Sequence, residues 1–504
     1  MTVAGLIAGL ESRGIILSLA GEEVRYRSPR QALTDGDREV LRRRRSEIID
    51  YLGARNAARA LRAAGGADGP LRPSVAQEMW RAFAGGAEEG KPIALNIATI
   101  GRFRAPPEDV AAAIRQIIAR YDALRIGFQA QEENLQAFLN PMESFVVELQ
   151  DLQKMSNQAA DEVVAKAAQQ FCALLNPIEG GWLTRAKVFG LPQGESLAAV
   201  SFAHMIADAG TRNIILDEIH DILERGSPAN PSPITYNEYA LAERQVLAGP
   251  EGDRLIDHWR RWYRDQPTMT APCDGVPLLW GNGIRIVKNF TIPGRVLKKV
   301  RGLAETLKAT SFLIFLTIFA IAMARWSRME RFPVRVLGDK RISLELSNMV
   351  GLMFCGDAVQ IDVPADADFE TVMRGILAEY DAALALRIPG LHFWAPHCVR
   401  PGIEARDYPN KIPAVFNYYS IGTAREKAEK QAAPDLSAEL PWPPQIVTLS
   451  QSWPRRSSPL FLHVMDMGSE ATVSLHFYQG VVSPADQEGF TAFLFKVFDD
   501  TVLP

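Results

Sequence analysis

One histidine and one aspartate, His204 and Asp208, stand four residues apart where an apolar segment gives way to an amphipathic one. Residues 197–202 are β-prone, and residues 211–223 have the apolar spacing of a helix. A strand that delivers an imidazole to a corner of small residues holds that ring at a fixed point. Such a ring can accept a proton from a nucleophile or orient it. We expect the carboxylate to orient a neighbouring group or to brace the loop.

The segment around this histidine, Phe-Ala-His-Met-Ile-Ala-Asp-Ala-Gly, resembles the His-His-x-x-x-Asp-Gly signature of nonribosomal peptide synthetase condensation domains, which belong to the chloramphenicol-acetyltransferase-like superfamily. Ala203 replaces the first histidine of the signature, and Ala209 precedes Gly210 where the glycine is usual. The resemblance implies that His204 is catalytic, that Asp208 and Gly210 support it, and that Ala203 lies in the donor or acceptor channel. The alternative is a structural histidine near a helix start.

Four further segments match the same family in the expected order. They read Pro-Ser-Val-Ala-Gln-Glu-Met-Trp at 73–80, Arg-Tyr-Asp-Ala-Leu-Arg-Ile-Gly-Phe at 120–128, Tyr-Asn-Glu-Tyr-Ala at 236–240 and His-Trp-Arg at 258–260. They resemble the family's Ser-x-Ala-Gln-x-x-x-Trp, Arg-His-Glu-x-Leu-Arg-Thr-x-Phe, Tyr-x-Asp-Phe-Ala and Tyr-Trp-x patterns. We expect the large apolar side chains of these segments to pack in the core.

The second half of the chain offers a partner for the aspartate. A β-prone run at 335–337 is followed by Gly-Asp-Lys-Arg, and the resemblance implies that Arg341 pairs with Asp208 across two lobes. A buried ion pair of this kind fixes geometry more than it stabilises the fold. The resemblance also implies that Asn417 and Tyr419 face the substrate channel. We expect the other histidines to be structural; they are His220, His258, His392, His397, His463 and His476.

The resemblance implies an α/β (α+β) fold in which two chloramphenicol-acetyltransferase-like lobes form a V-shaped pseudo-dimer around a tunnel. We assign residues 71–265 to the N-lobe and residues 266–504 to the C-lobe. A small docking domain at 1–56 and an Ala- and Gly-rich linker at 57–70 precede them.

The docking domain is expected to have the order helix, β-hairpin, helix. Apolar spacing predicts a helix at 3–12, two β-prone runs flank Ala-Gly-Glu-Glu, and a second helix begins near residue 33. This order resembles the β-hairpin docking domains of tubulysin-type synthetases, which add the tail of an upstream carrier subunit as a strand. The expected docking residues are Val24, Arg25, Tyr26, Arg27, Arg42 and Arg45. The alternative for the arginine run is a solvated face.

The composition of the chain limits the kinds of partner that it is expected to bind and the cellular compartment in which it is expected to work. A formal net charge of −4 over 504 residues argues against general nucleic-acid binding. The four cysteines are far apart and lack Cys-x-x-Cys spacing, so we expect free thiols, no metal site and a reducing compartment. The opening residues lack a basic leader, and the apolar run 312–323 is shorter than the roughly 20 residues of a membrane span. We expect a cytoplasmic monomer that does not bind membranes.

The function that the resemblance implies is condensation. An acyl or peptidyl thioester on the phosphopantetheine arm of a carrier protein of another subunit would be transferred to a small-molecule amine or alcohol, and the chain itself would bind no cofactor. No carrier, adenylation or thioesterase segment fits after the final helix, so we expect a stand-alone enzyme that releases the chain as an ester or amide. Heterocyclising relatives need an aspartate where Ala203 stands, so the resemblance does not favour thiazoline or oxazoline formation. A non-catalytic carrier-binding scaffold and an epimerase are the alternatives.

Overall fold

Two large β-sheets and two separate hairpins form the framework of the chain in a computed structural model. The structure describes residues 10, 15–20, 23–27, 34–45, 48, 71–78, 96–131, 134–174, 181–227, 232, 234–273, 275–278, 281–341, 346–385, 411–420 and 446–503. The linker predicted at 57–70, the tryptophan of the segment 73–80 and most of the helix predicted at 3–12 lie outside these residues.

The N-terminal region contains the predicted hairpin and second helix. Strands β1 (Ile16–Ala20) and β2 (Glu23–Arg27) pair antiparallel, with Ala20 opposite Glu23. Helix α1 (Asp35–Arg43) begins after Thr34, whose side chain accepts from the Asp37 backbone N–H while the Asp37 carboxylate accepts from that of Thr34. This reciprocal cap explains why the helix begins at this threonine.

The N-lobe is built on a four-stranded sheet. Its strands are β3 (Asn96–Phe103), β6 (Val147–Asp151), β7 (Thr184–Gly190) and β8 (Ser196–Ala203), and a separate hairpin pairs β4 (Ile126–Gln131) with β5 (Asn134–Leu139). The helices are α2 (Pro107–Arg120), α3 (Asp122–Arg125), α4 (Asn157–Ala173), α5 (Ala209–Arg225), α6 (Tyr236–Ala248) and α7 (Pro250–Asp265). The strand order is β3-β8-β7-β6, and only β6 and β7 pair in parallel.

Strand β8 is buried on both faces. Val200 and Phe202 point into the cluster that contains residues of α2 and α5, whereas Leu197 and Ala199 pack with α4. A strand covered by helices on both faces must be apolar at nearly every position, which is why its sequence shows a continuous apolar run and no alternation.

The C-lobe is built on a seven-stranded sheet of order β11-β10-β12-β14-β15-β9-β13. The strands are β9 (Gly281–Ile292), β10 (Arg331–Asp339), β11 (Phe354–Asp362), β12 (Ala414–Ser420), β13 (Val447–Ser457), β14 (Leu460–Asp466) and β15 (Ala471–Tyr478). The helices are α8 (Gly294–Thr306), α9 (Ser311–Ser327), α10 (Phe369–Ala385) and α11 (Pro484–Val502). The sequence pattern after Pro364 predicts a helix at 365–384. Helix α10 begins later than this, because the Asp368 carboxylate accepts from the Thr371 backbone N–H and caps it there.

Helix α9 forms the centre of the C-lobe core, and its side chains from Leu313 to Ala324 are all buried. The apolar run at 312–323, which is shorter than a membrane span, is therefore part of a buried core helix. Among the described residues, no single helix has the length and apolar character to cross a membrane. The pair α8 and α9 reaches that length only together, and it is bent by 98°.

The two faces of the C-lobe sheet differ in chemistry. On one face, Phe416 and Leu462 pack against the helices. On the other face, strand register sets Asn417 beside His463 and places Phe461 beside His476. Because strand side chains alternate between faces, this polar row adjoins the apolar core without entering it.

Candidate active site

His204 lies in the short connection between β8, which ends at Ala203, and α5, which begins at Ala209. Its Nδ1 atom is 2.9 Å from the carbonyl oxygen of Ala207. A carbonyl can only accept, so Nδ1 carries the proton and Nε2 is the basic nitrogen of the ring. The ring of Phe354 lies 5.6 Å from the imidazole, centroid to centroid.

The protonation state of His204 follows from its surroundings. Burial lowers the pKa of the imidazole below its ordinary value of 6.5, and the nearby Asp208 carboxylate and the backbone hydrogen bonds offset this only in part. The ring is therefore neutral at pH 7, which is the state that can accept a proton or a hydrogen bond at Nε2.

Asp208 is the N-cap of α5. Its Oδ1 atom accepts from the Thr211 backbone N–H at 2.8 Å, and its Oδ2 atom accepts from the Met353 backbone N–H at 2.7 Å. Arg341 donates to both carboxylate oxygens as well, at 2.9 and 3.0 Å. The carboxylate thus connects the N-lobe helix with two segments of the C-lobe.

The ion pair of Asp208 and Arg341 is buried, with 5% and 6% of the two side chains exposed. Burial alone would raise the pKa of the Asp208 carboxyl, but the guanidinium charge and the hydrogen bonds outweigh it and the pKa is lowered. Burial would likewise lower the pKa of Arg341, and the carboxylates of Asp208 and Asp339 raise it instead. Both groups are therefore charged at neutral pH.

Gly210 makes room for the arginine. A Cβ atom at Gly210 would lie 2.5 Å from Nη1 of Arg341, closer than real Cβ contacts allow. Next to it, the Thr211 hydroxyl donates to the Gly351 carbonyl oxygen at 2.7 Å and accepts from the Gly351 backbone N–H at 3.0 Å. The first turn of α5 is thus fitted closely to the C-lobe.

A second buried contact between the lobes lies beside the first. Lys340 Nζ is 3.3 Å from Glu243 Oε1 and donates to the Tyr239 hydroxyl at 3.2 Å. Glu243 also accepts from the Val75 backbone N–H. Consecutive residues after β10, Lys340 and Arg341, therefore both bind N-lobe helices.

A cavity of about 590 Å³ lies between the lobes at this point, within the usual range for a small-molecule site. It brings together His204, Asp208 and Gly210 from the N-lobe with Asn417 and Tyr419 from the C-lobe. Ala203 does not line the cavity: it is 3% exposed and packs in the N-lobe core. The expectation that it faces the channel is corrected, because it still belongs to the apolar strand β8.

Several cavity residues were not predicted from the sequence, among them Arg212, Arg285, His463 and His476. His463 and His476 were expected to be structural. Both sit at positions that alternate with apolar residues in β14 and β15, and a polar residue at such a position is the signal that could have identified a strand face that lines a cavity.

Of the predicted docking residues, Arg25, Tyr26, Arg42 and Arg45 are exposed and Val24 is partly buried. Arg38 of α1 donates to the Tyr26 hydroxyl at 3.1 Å and lies over its ring. The hairpin and α1 therefore share one surface. The side chain of Arg27 lies outside the described atoms.

Comparison with known protein families supports the assignment of a condensation domain and of an N-terminal docking domain. Residues 98–384 match the Condensation domain family, and residues 3–53 match the TubC N-terminal docking domain. The condensation fold and the presence of a docking domain are confirmed, and so are the predicted hairpin and second helix of that domain.

Solved structures extend the match over the whole chain. The condensation domain in chain release from the enacyloxin polyketide synthase is 31% identical, with a TM-score of 0.76 over 100% of this chain and 97% of that one. The EpoB cyclization-docking bidomain from Sorangium cellulosum shares the fold at 16% identity, with a TM-score of 0.58 over 98% of this chain and 97% of its own.

Curated relatives are much longer proteins. Phosphinothricin tripeptide synthetase PhsC of Streptomyces viridochromogenes is 25% identical over 63% of this chain and 30% of its own length. The nonribosomal peptide synthetase kk1B of Curvularia clavata is 23% identical over 55% of this chain and 2% of its own length. The chain thus spans less than a third of either relative. It belongs to the condensation domain family of nonribosomal peptide and polyketide synthesis and carries a TubC-type N-terminal docking domain.

Proposed function

We propose that the chain is an acyltransferase in which His204 acts on the acceptor. It transfers an acyl or peptidyl group from a carrier-protein thioester to an amine or alcohol. The observation that carries the proposal is a neutral imidazole with a fixed tautomer in the wall of a cavity between the two lobes. A general base is most effective when it is held in this state at the working pH.

The transfer requires one proton relay. The acceptor oxygen or nitrogen attacks the thioester carbonyl carbon, and its proton passes to Nε2 of His204 as the new C–O or C–N bond forms. When the C–S bond breaks, the thiolate of the carrier arm leaves and takes that proton, so that the products are the ester or amide and the free thiol. The Thr211 N–H is held by Asp208, so an oxyanion would need donors other than this one.

The proposed outcome is chain release. The similar enacyloxin structure belongs to a condensation domain that mediates chain release, and it is 31% identical over nearly the full length of both chains. We infer that this chain likewise passes its acyl group to an acceptor that is not part of the assembly line.

The docking domain is proposed to recruit the donor. An exposed hairpin strand can accept the C-terminal tail of a carrier subunit as a further strand, and the exposed Arg25, Arg42 and Arg45 favour an acidic tail. The carrier and its phosphopantetheine arm are thus substrates that arrive from another subunit.

The catalytic proposal is tested by intact-protein mass spectrometry of an acyl-loaded carrier. The carrier would be incubated with the wild-type protein or His204→Ala across a panel of amines and alcohols. Acyl loss that requires both the imidazole and one acceptor class supports the proposal and names the bond. Carrier binding without acyl loss in either protein would indicate a scaffold. A change in the configuration of the carrier-bound residue without any acceptor would indicate an epimerase.

The docking proposal is tested by fluorescence anisotropy with acidic C-terminal tail peptides of carrier proteins. Arg25→Glu and Arg42→Glu should weaken binding. Arg104→Glu is the matched control, since this arginine is 94% exposed and lies on the N-lobe. Equal losses in all three variants would show only a nonspecific charge effect and would contradict the docking surface.

A further inference from the structure

The segment that follows β10 is bound by two different helices of the N-lobe. Arg341 binds Asp208 at the start of α5. Lys340 binds α6 instead, where its Nζ atom lies 3.3 Å from Glu243 Oε1 and 3.2 Å from the Tyr239 hydroxyl oxygen. This second contact is buried, with 3% of the Lys340 side chain and 0% of the Glu243 side chain exposed. Two N-lobe helices therefore hold one short segment of the C-lobe.

The backbone of Lys340 belongs to the hydrogen bonds that hold Asp208. Its N–H donates to the Met353 carbonyl oxygen at 2.8 Å, and the Met353 N–H donates to Asp208 Oδ2 at 2.7 Å. Asp208 ends the same connection between β8 and α5 in which His204 stands. A displacement of Lys340 therefore disturbs both C-lobe donors to the carboxylate, and the connection that carries the imidazole is disturbed with them.

Glu243 is itself held inside the fold. Its Oε2 atom accepts from the Val75 N–H at 2.6 Å, and its Oε1 atom accepts from the Tyr239 hydroxyl at 3.2 Å. Burial raises the pKa of this carboxyl, and the charge of Lys340 is the strongest influence in the opposite direction. Because both oxygens have partners in the N-lobe, the carboxylate holds the ammonium at a fixed place relative to α6.

We propose that Lys340 is a positioning residue for His204. Its ammonium, bound by α6, holds the segment after β10 in the place from which Arg341 and Met353 fix Asp208. The inference rests on the proposed acyl transfer, since His204 is the group that is positioned. It gives a role in that reaction to a residue that does not line the cavity.

Removing both charges separates position from stability. Lys340→Met alone leaves the Glu243 carboxylate buried without its cation, and breaking one partner of such a pair is strongly destabilising. Lys340→Met/Glu243→Gln removes the whole pair, and its glutamine can still accept from the Val75 N–H and donate to the Tyr239 hydroxyl. Replacing a complete buried pair with neutral groups is often harmless to stability. This double variant should therefore keep the fold and lose the ionic link between the lobes.

The rate of the double variant would be measured with an octanoyl-loaded carrier and the acceptors that the wild-type protein uses. Its kcat should fall by about tenfold or more, because a misplacement of about 1 Å at a reacting group can cost about a hundredfold. KM for the acceptor should change less, since the residues that line the cavity are intact.

The acid limb of kcat gives a readout that a loss of stability alone does not move. Burial is the main cause that lowers the pKa of His204 from 6.5, so a ring that shifts towards water should move the limb up towards pH 6.5. A histidine NMR titration measures the same shift without turnover. The variants leave unchanged the other charged groups and histidines of the cavity wall, which are Asp208, Arg212, Arg285, Asp339, His463 and His476.

Lys288→Met/Glu488→Gln is the matched control. Lys288 Nζ lies 2.6 Å from Glu488 Oε1, and 5% of the lysine side chain is exposed. This pair joins β9 to α11 within the C-lobe. Its removal should leave kcat and the acid limb at their wild-type values.

Tyr239→Phe is a milder second variant. It removes the hydroxyl to which Lys340 donates and leaves the ion pair with Glu243 in place. It should lower kcat and raise the acid limb by smaller amounts than the double variant. If the double variant is too unstable to assay, Tyr239→Phe decides by the same two measurements.

Wild-type values of kcat and of the acid limb in the assayed variant, or equal changes in the control, would overturn the inference while acyl transfer stands. If the wild-type protein turns over no acceptor, the proposed function fails and the NMR titration decides about the contact. A raised pKa of His204 in the double variant would then show that Lys340 positions the ring, and an unchanged pKa would show that it does not.

Discussion

The carboxylate of Asp208 and the guanidinium of Arg341 form a bidentate ion pair, with one hydrogen bond to each carboxylate oxygen. The same carboxylate caps α5 and accepts from the Met353 backbone N–H. One buried charge therefore sets the start of the helix, the position of the histidine connection and the contact between the lobes. Such a pair is costly to bury, and its role is to allow one arrangement of these parts.

Removing the carboxylate should be strongly destabilising. Asp208→Ala leaves the Arg341 charge buried, which typically costs about 3–5 kcal/mol in the free energy of unfolding. Chemical denaturation measures this loss. Asp339→Asn is the control, because Asp339 also binds Arg341 but its side chain is 50% exposed, and about 1 kcal/mol or less is expected there. Equal losses in the free energy of unfolding of the two variants would contradict the conclusion that Asp208 is the main partner of Arg341.

Replacing the imidazole should affect rate and not fold. His204→Gln should lower kcat by about a hundredfold or more, since general-base catalysis contributes about 10²–10⁴. Its thermal midpoint should stay near that of the wild type, because the ring lines a cavity. Single-turnover assays with a loaded carrier measure the rate, and an unchanged rate would remove His204 from the mechanism.

Gly210→Ala should lower the free energy of unfolding, because it disturbs the position of Arg341. The new methyl group would overlap Arg341, which costs about 1–3 kcal/mol and exceeds the gain of about 1 kcal/mol from better helix propensity. Gly302→Ala in α8 is the control, since nothing lies within 4 Å of its Cβ position. That variant should be as stable as the wild type or more so. Chemical denaturation of both variants measures these changes in the free energy of unfolding. A Gly210→Ala variant that is more stable than the wild type would show that Arg341 moves freely away from the new methyl group.

Acyl transfer should persist into mildly acidic solution. The pKa of His204 is lowered from 6.5, so the neutral imidazole survives at pH values where an ordinary histidine is protonated. The acid limb of kcat should therefore lie below pH 6.5, and it should vanish in His204→Gln. A limb at or above pH 6.5 would mean that another group controls the rate.

Stability should fall in acid because of the buried histidine beside Arg285. His476 has a pKa of about 3 in the fold and an ordinary pKa of 6.5 when unfolded. Between these values the unfolded chain binds a proton that the fold does not, so stability decreases as pH falls, by about 1.4 kcal/mol per pH unit. Above pH 6.5 the effect is absent. Denaturation at several pH values should show a shallower slope in His476→Gln, and an unchanged slope would contradict the assignment.

Much of the fold was predictable because periodicity and caps are local. The strand before His204, the buried α9 and the hairpin near residue 20 all follow from apolar spacing and turn residues within each segment. The later start of α10 did not follow, since the pattern after Pro364 suits a helix and only the side-chain cap at Asp368 decides where it begins.

The pairing of Asp208 with Arg341 came from resemblance, because residues 133 positions apart carry no local signal of contact. The places of Ala203 and Arg285 depend on strand register and on how the lobes meet, which no single segment encodes. A histidine in an apolar strand is ambiguous for the same reason: its neighbours in sequence do not say which face of the sheet is covered.

The alternation of the C-lobe sheet separates two structural roles. Every second side chain of β12 and β14, such as Phe416 and Leu462, holds the helices in place, whereas the residues between them, such as Asn417 and His463, face the cavity. Substitutions at the cavity positions change what the wall recognises without repacking the interior. The same scaffold can therefore accommodate changes in the cavity wall at little cost in stability, one strand position at a time.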